Sequence, residues 1–168
     1  MTPIERINSK IFDIRTLKAE VARWKQNNMK IVFSNGCFDI LHRGHIDYLA
    51  KAKALGDKMI IGVNSDQSVK RLKGNGRPLQ DEQSRLMLLA AMEFVDAVVL
   101  FDDDTPYDLI KTLLPDVLVK GADYQPSQIA GYDIVTANGG KVETIAFLDG
   151  FSTSNIVRKA QSLANTIK

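Results

Sequence analysis

Five short runs rich in β-branched and apolar residues, separated by stretches of helical periodicity, constrain the fold of this chain more than any other feature. They fall at about 31–35, 59–64, 95–101, 117–120 and 141–146. Strands that alternate with helices predict a parallel five-stranded sheet with helices on both faces, because each parallel connection must cross over the sheet. The intervening segments carry their own signals. Ile14, Leu17, Val21 and Trp24 recur at helical spacing, so an amphipathic helix should begin near Asp13 as its cap and place Trp24 in the core. Gly44 to Leu55 reads as a helix ended by Gly56, Asp81 can cap a helix carrying Leu86, Leu88 and Leu89, and Thr105-Pro106 opens another. The stretch Gly74-Asn75-Gly76-Arg77-Pro78 reads as a mobile loop within the domain. With 168 residues, 45% of them hydrophobic, the chain is expected to form one domain over 1–168, with 1–28 as an N-terminal helical segment packed on it.

Charge and cysteine usage narrow the classes of partner. A formal charge of +2, from 22 basic and 20 acidic residues, gives no electrostatic commitment to nucleic acid or to an acidic membrane, so a small-molecule partner is expected. One cysteine, Cys37, cannot form an internal disulfide, and the amino terminus lacks the apolar core of a signal peptide. The apolar stretch Leu86 to Met92 is far shorter than the roughly 20 residues that span a bilayer. The expected compartment is the cytoplasm.

The segment Asn35-Gly-Cys-Phe-Asp-Ile-Leu-His-Arg-Gly-His45 carries most of the functional information. It links the strand Ile31-Val32-Phe33 to the helix beginning at Gly44, which puts it at the carboxyl edge of the sheet, where open α/β sheets bind ligands. Gly36 and Gly44 let the backbone approach a ligand closely, and the N–H groups that open the helix favour anionic oxygens. His42 and His45 add side-chain donors. No Gly-x4-Gly-Lys-Ser/Thr sequence is present, and Gly74-x-Gly76 lacks the third glycine of a dinucleotide loop. Two competing readings stay open on the residues alone. Cys37, His42 and His45, with a carboxylate such as Asp39, could supply zinc ligands; the histidines could also be structural.

The run Gly36-Cys-Phe-Asp39-Ile-Leu-His42-Arg-Gly44-His45 resembles the His-x-Gly-His motif of the cytidylyltransferase-like nucleotidyltransferases, and Gly150-Phe-Ser152-Thr153-Ser154-Asn-Ile-Val-Arg158-Lys159 resembles their second motif. The segments Gly62-Val-Asn-Ser-Asp66, Arg71-Leu-Lys73-Gly74, Arg77-Pro78 and Leu118-Val-Lys120-Gly-Ala-Asp123-Tyr124 are most similar to the D-glycero-β-D-manno-heptose 1-phosphate adenylyltransferases. The resemblance runs from about residue 10 to the end. It implies a Rossmann-like, doubly wound fold. It also implies transfer of AMP from ATP, with Mg²⁺, to heptose 1-phosphate, giving ADP-heptose and pyrophosphate for lipopolysaccharide or a related surface glycan. In many such relatives a sugar kinase precedes this domain; here none does, so a stand-alone form is expected.

The roles implied are residue-specific. His42 and His45 would be hydrogen-bond donors to the reacting phosphates, and their protonation state is not legible, since a helix terminus disfavours imidazolium while phosphates favour it. Asn35, Gly36, Cys37, Phe38, Asp39 and Gly44 would form the phosphate-facing turn, with Cys37 a small packing residue. Asp39 would hold the turn or help place Mg²⁺. Lys73 resembles a mobile-loop lysine that reaches the triphosphate; the competing role is a solvated lysine. Ser152, Thr153 and Ser154 would open a helix and bind the β- and γ-phosphates, a role compatible with plain capping. Arg158 and Lys159 both qualify as the basic residue of that motif. Arg77, Lys120 and Asp123 would meet substrate, although a salt bridge fixing the loop is the alternative for the last two. The other functions kept in view are a glycerol 3-phosphate cytidylyltransferase and a non-catalytic nucleotide-binding subunit. An exposed first helix would suit contact between copies in a homo-oligomer.

Overall fold

The structure, a computed structural model, describes residues 1–166. Its elements in order are α1 (Pro3–Asn8), β1 (Ile11–Phe12), α2 (Ile14–Gln26), β2 (Ile31–Gly36), α3 (Arg43–Lys53), β3 (Lys58–Asn64), α4 (Asp66–Lys73), α5 (Glu82–Ala90), β4 (Ala97–Phe101), α6 (Tyr107–Leu113), β5 (Val117–Gly121), α7 (Tyr132–Ala137), β6 (Lys141–Ile145) and α8 (Thr153–Thr166). A short 3-10 turn spans Pro126–Gln128. All strand pairs are parallel, in the order β1-β4-β3-β2-β5-β6.

The sheet has six strands, one more than the expected five. The extra strand, β1, pairs Ile11 and Phe12 with Val98 and Val99 of β4. Two residues are too few to show a period of two, so its only sequence signal is a pair of apolar residues before a helix cap. The other strands lie within two residues of their expected positions. Val95 stands before β4 in a turn, yet it is buried and packs in the core.

Alternation along the strands divides the core into two layers. Ile31, Phe33, Ile60, Val99 and Leu118 face one side, where they meet Leu17, Val21 and Trp24 of α2 and apolar residues of α6 and α7. Val32, Ile61, Val63, Val98 and Val119 face the other, against Tyr48, Leu49 and Ala52 of α3 and Leu86, Leu89 and Ala90 of α5. Asp13 caps α2 by accepting from Thr16 N–H at 2.9 Å, and Asp81 caps α5 by accepting from Ser84 N–H at 2.9 Å, as their residue types predict. Thr105 gives no such cap: α6 begins after Pro106 without a side-chain hydrogen bond. The helix expected to be free for contact between copies, α2, is anchored by its apolar stripe; α1 has no buried residue.

The winding direction reverses at β2. From β2 the chain adds β3 and then β4 on one side, and it crosses to add β5 and β6 on the other. A crevice opens at such a switch point, beyond the carboxyl ends of the strands. The pairing shows how. β2 and β3 stay in register from Ile31 opposite Lys58 to Gly36 opposite Val63, whereas β2 meets β5 only at Val32–Val117 and Phe33–Leu118. Past Phe33 the two strands diverge, and Asn35 and Lys120 face each other across the gap, Lys120 Nζ donating to Asn35 O at 3.4 Å.

Candidate active site

A cavity of about 590 Å³ occupies this crevice. From the turn after β2 it is lined by Asn35, Gly36, Cys37, Phe38, Asp39 and His45. Lys73 and Arg77 border it from the segment after β3, Lys120 from β5, and Thr153 and Ser154 from the start of α8. A smaller recess of about 220 Å³ adjoins it, with Tyr48, Gly121, Asp123, Tyr124 and Phe147 in its walls. The structure thus brings together residues separated by more than a hundred positions in sequence. His42 and Gly44 border neither cavity; the His42 ring stacks on that of His45. Arg158 and Lys159 are exposed and border neither cavity.

The histidine turn is held by its own backbone chemistry. His42 caps α3: its Nδ1 accepts from Gly44 N–H at 3.1 Å, so the ring proton of the neutral imidazole lies on Nε2. A Cβ on Gly44 would sit 3.0 Å from the His42 ring, so any larger residue there would push the ring out of its folded-back position by a few tenths of an ångström. The rings of His42 and His45 stack with centroids 3.9 Å apart. Burial, reinforced by the neighbouring His42, lowers the His45 pKa to about 4, and burial alone lowers that of His42. Both are therefore neutral near pH 7, a state in which each ring keeps one N–H donor and carries no charge. Phe38 adopts a positive φ of 48°, a conformation uncommon outside glycine, and packs the edge of its ring on His45 at 5.5 Å.

Asp39 holds the turn rather than waiting for a metal. Its side chain is 1% exposed, its carboxylate accepts from the N–H groups of Leu79 and Gln80 at 2.8 to 2.9 Å, and Arg77 Nε donates to it at 2.5 Å. Burial alone would raise its pKa, but these donors outweigh it and hold the carboxyl below the usual range. A carboxylate whose oxygens are taken by N–H donors does not fit as a Mg²⁺ ligand. The same contact ties Arg77 to Asp39 through Nε while leaving Arg77 in the lining at the rim of the cavity. Among the described residues, no three of His, Cys, Asp and Glu gather to hold a metal, so Cys37, His42, His45 and Asp39 do not form the zinc site that their spacing allowed. Burial pushes the Cys37 thiol up, away from the reactive thiolate.

Two lysines supply positive charge. Neither Lys73 nor Lys120 forms an ion pair among the described residues, so Asp123 does not neutralise Lys120. Burial lowers the Lys120 pKa, and Tyr124 lies under its ammonium at 5.7 Å. A mostly buried ammonium with one long hydrogen bond is a cation that an anionic ligand would complete. At the start of α8, Ser152 Oγ accepts from Asn155 N–H at 3.1 Å, an ordinary cap, while Thr153 Oγ1 donates to Ile40 O at 3.4 Å and ties the helix to the histidine turn.

The sequence pattern missed several residues. Asn64, Asp104, Thr105 and Gln128 also line the cavity; Asn64 lies in the Gly62–Asp66 segment without having been singled out, and the other three belong to no motif. Arg85 is completely buried beside the site. Its one sequence signal is position, since a charged residue on the same helical face as Leu86 and Leu89 must find partners inside.

Comparison with known proteins now defines the class. The cytidylyltransferase-like family model matches residues 33–159, and the chain belongs to that family of nucleotidyltransferases. It is 53% identical over 144 residues to the bifunctional protein HldE of Azorhizobium caulinodans, covering 86% of this chain and 30% of that protein. It is 61% identical over 135 residues to the bifunctional protein HldE of Campylobacter jejuni subsp. jejuni serotype O:2, covering 80% and 28%. The chain thus spans about 30% of the length of these relatives. A crystal structure of the lipopolysaccharide core biosynthesis protein of Thermoplasma volcanium GSS1 superimposes with a TM-score of 0.59 at 31% identity, covering 72% of this chain and 99% of that one. The pantoate-beta-alanine ligase of Francisella tularensis, at 19% identity and a TM-score of 0.58 over 87% of this chain and 74% of that one, shares the fold. No helix among the described residues is long and apolar enough to cross a membrane.

Proposed function

We propose that this nucleotidyltransferase moves AMP from ATP to D-glycero-β-D-manno-heptose 1-phosphate, releasing pyrophosphate and ADP-heptose. The observation that carries the reading is one crevice lined by the neutral His45, whose ring stacks on His42, and by Lys73 and Lys120, neither of which forms an ion pair among the described residues. Such a site suits two polyanions that must meet in line. The names of the relatives, HldE and a lipopolysaccharide core biosynthesis protein, support the heptose acceptor.

A sugar phosphate has a second pKa of about 6 and is mostly dianionic at neutral pH, so its oxygen needs no general base. That oxygen attacks the α-phosphorus of ATP, a new P–O bond forms, and the bond to the β-phosphate oxygen breaks with its electron pair leaving on pyrophosphate. The protein then has to align the reactants and stabilise the charge that grows on the phosphates. In this reading His42 and His45 donate through Nε2 to phosphate oxygens, and the start of α8 receives the outer phosphates. Lys73 follows the triphosphate, and Lys120 draws in the acceptor phosphate. The narrow recess walled by Tyr48, Tyr124 and Phe147 suits a planar base, whereas the wall bearing Asn64, Asp104, Thr105 and Gln128 presents the amide, hydroxyl and carboxylate groups that pair with sugar hydroxyls. Magnesium enters with the nucleotide, since Asp39 is already occupied.

The deciding experiment is pyrophosphate release from ATP or CTP with a panel of phosphate monoesters. ATP with heptose 1-phosphate should give rapid release, and ATP alone should not. Turnover only with CTP and glycerol 3-phosphate would replace the substrate assignment with the second reading, which the family's cytidylyltransferase description keeps alive.

Lys73 provides a more local prediction. It ends α4 and is followed by Gly74, at φ 95°, and Gly76, with open space around both glycines. Lys73→Ala should raise the KM for ATP and lower kcat together, with stability within about ±0.5 kcal/mol of the parent, as for an exposed side chain. Unchanged kinetics would reduce Lys73 to a solvated lysine.

A further inference from the structure

Arg85 is the largest fully buried side chain in the described structure, and it is charged. Its Nη1 donates to Cys37 O at 2.6 Å and to Asn64 O at 2.8 Å, its Nη2 to Asp66 Oδ1 at 2.8 Å, and its Nε to Gln80 O at 3.1 Å. These four acceptors belong to four segments of the active site. Cys37 opens the histidine turn, Asn64 ends β3, Asp66 begins the helix that finishes at Lys73, and Gln80 closes the loop that returns from Lys73 to Asp39. A planar guanidinium presents its N–H donors in a fixed fork, so the relative directions of its acceptors are fixed with it. An ammonium at the same place would supply three donors in no set plane.

We infer that Arg85 is a positioning residue that sets the histidine turn and the Lys73 helix in one frame, without touching substrate. The link to chemistry runs through the backbone. In a trans peptide the C=O and the next N–H point in opposite directions, so holding Cys37 O on the buried guanidinium turns the Phe38 N–H away from it, toward the open side of the turn. The bond to Asp66 fixes the first turn of α4, and Asp66 N–H in turn donates to Glu82 Oε2 at 2.9 Å on α5. Lys73 therefore sits at the end of a helix anchored at its start by the residue that also anchors the histidines. Solvation cannot explain the charge at this position, because the side chain has no exposure. A purely structural account predicts a loss of stability and nothing else.

The inference rests on the proposed nucleotidyl transfer for its kinetic consequences, but one readout is independent of substrate. The chain has two histidines, so its imidazole NMR spectrum contains two sets of signals. Arg85→Lys, studied well below its melting temperature, should shift both sets, lower kcat at least tenfold and raise the KM for ATP. Asp66→Asn removes the charge but keeps an oxygen facing Arg85, at a helix start whose side chain is 32% exposed, and should remain folded even where Arg85→Lys does not. It should raise the KM for ATP severalfold while leaving the histidine signals in place. Histidine signals and per-molecule kinetics unchanged in a folded Arg85→Lys would overturn the inference, as would an unchanged KM in Asp66→Asn. Failure of the wild-type protein to use heptose 1-phosphate would strike the proposed substrate and leave the histidine comparison to decide the role of Arg85.

Discussion

His45→Ala should lower kcat by about 10²-fold or more while the protein stays folded, the usual loss when a preorganised donor to a developing charge is removed. The ring borders both the main cavity and the adjoining recess and is held between His42 and Phe38. It acts neutral: with a pKa of about 4 it has no proton to lose between pH 6 and 9, so no limb of the activity profile in that range should belong to it. The same shift has a thermodynamic face. An unfolded histidine titrates near 6.5, so below that pH the unfolded chain binds a proton that the folded one refuses. The stabilisation from a neutral His45 is complete above about 6.5 and is lost as pH falls toward 4. At about 1.4 kcal/mol per pKa unit this amounts to about 3 kcal/mol, which unfolding curves at pH 7 and pH 4.5 on the parent and on His45→Ala would reveal as a difference in slope. His42→Asn is the matched control, because Asn can cap α3 and still donate. Nearly full kcat in His45→Ala would refute the donor role. Activity that tracked bound zinc would restore the metal reading.

Legibility in the sequence followed the length of the signal. Strands of five to seven residues and the caps Asp13 and Asp81 announce themselves by periodicity and residue type, and the structure has them where expected. β1 did not, since two residues carry no period. At the site, the histidine turn and the start of α8 are contiguous motifs, so their residues were nameable; that they meet, Thr153 on Ile40, is a property of the winding order. The protonation state of the histidines depended on one hydrogen bond, Gly44 N–H to His42 Nδ1, and on burial, neither of which is written in residue spacing. Asp39 shows the same limit from the other side. Its place in the motif suggested phosphate or magnesium, yet its partners lie forty positions away, on a loop whose path no local pattern specifies.

Asp39→Ala should be strongly destabilising, by about 2 to 4 kcal/mol, because it strands the N–H groups of Leu79 and Gln80 and leaves the partly exposed Arg77 without its counter-charge. For a protein of this size that corresponds to a fall in Tm of roughly 10 °C. Asp39→Asn keeps an oxygen for one of the N–H donors but loses the charge facing Arg77, so its loss should be smaller. The pH dependence has a defined direction: the carboxyl is held below the usual range in the fold, so its contribution is present above the unfolded pKa near 4 and disappears as pH falls through the lower folded value. The clamp and the metal-ligand roles separate on magnesium. If Asp39 holds the loop, folded Asp39→Asn retains the parent's magnesium requirement and loses activity together with the placement of the Lys73 segment. A large rise in the magnesium needed for half-maximal rate, with Tm unchanged, would return Asp39 to the metal and leave the 77–80 loop to be held by Gln80 Nε2 donating to Asp39 O at 2.6 Å.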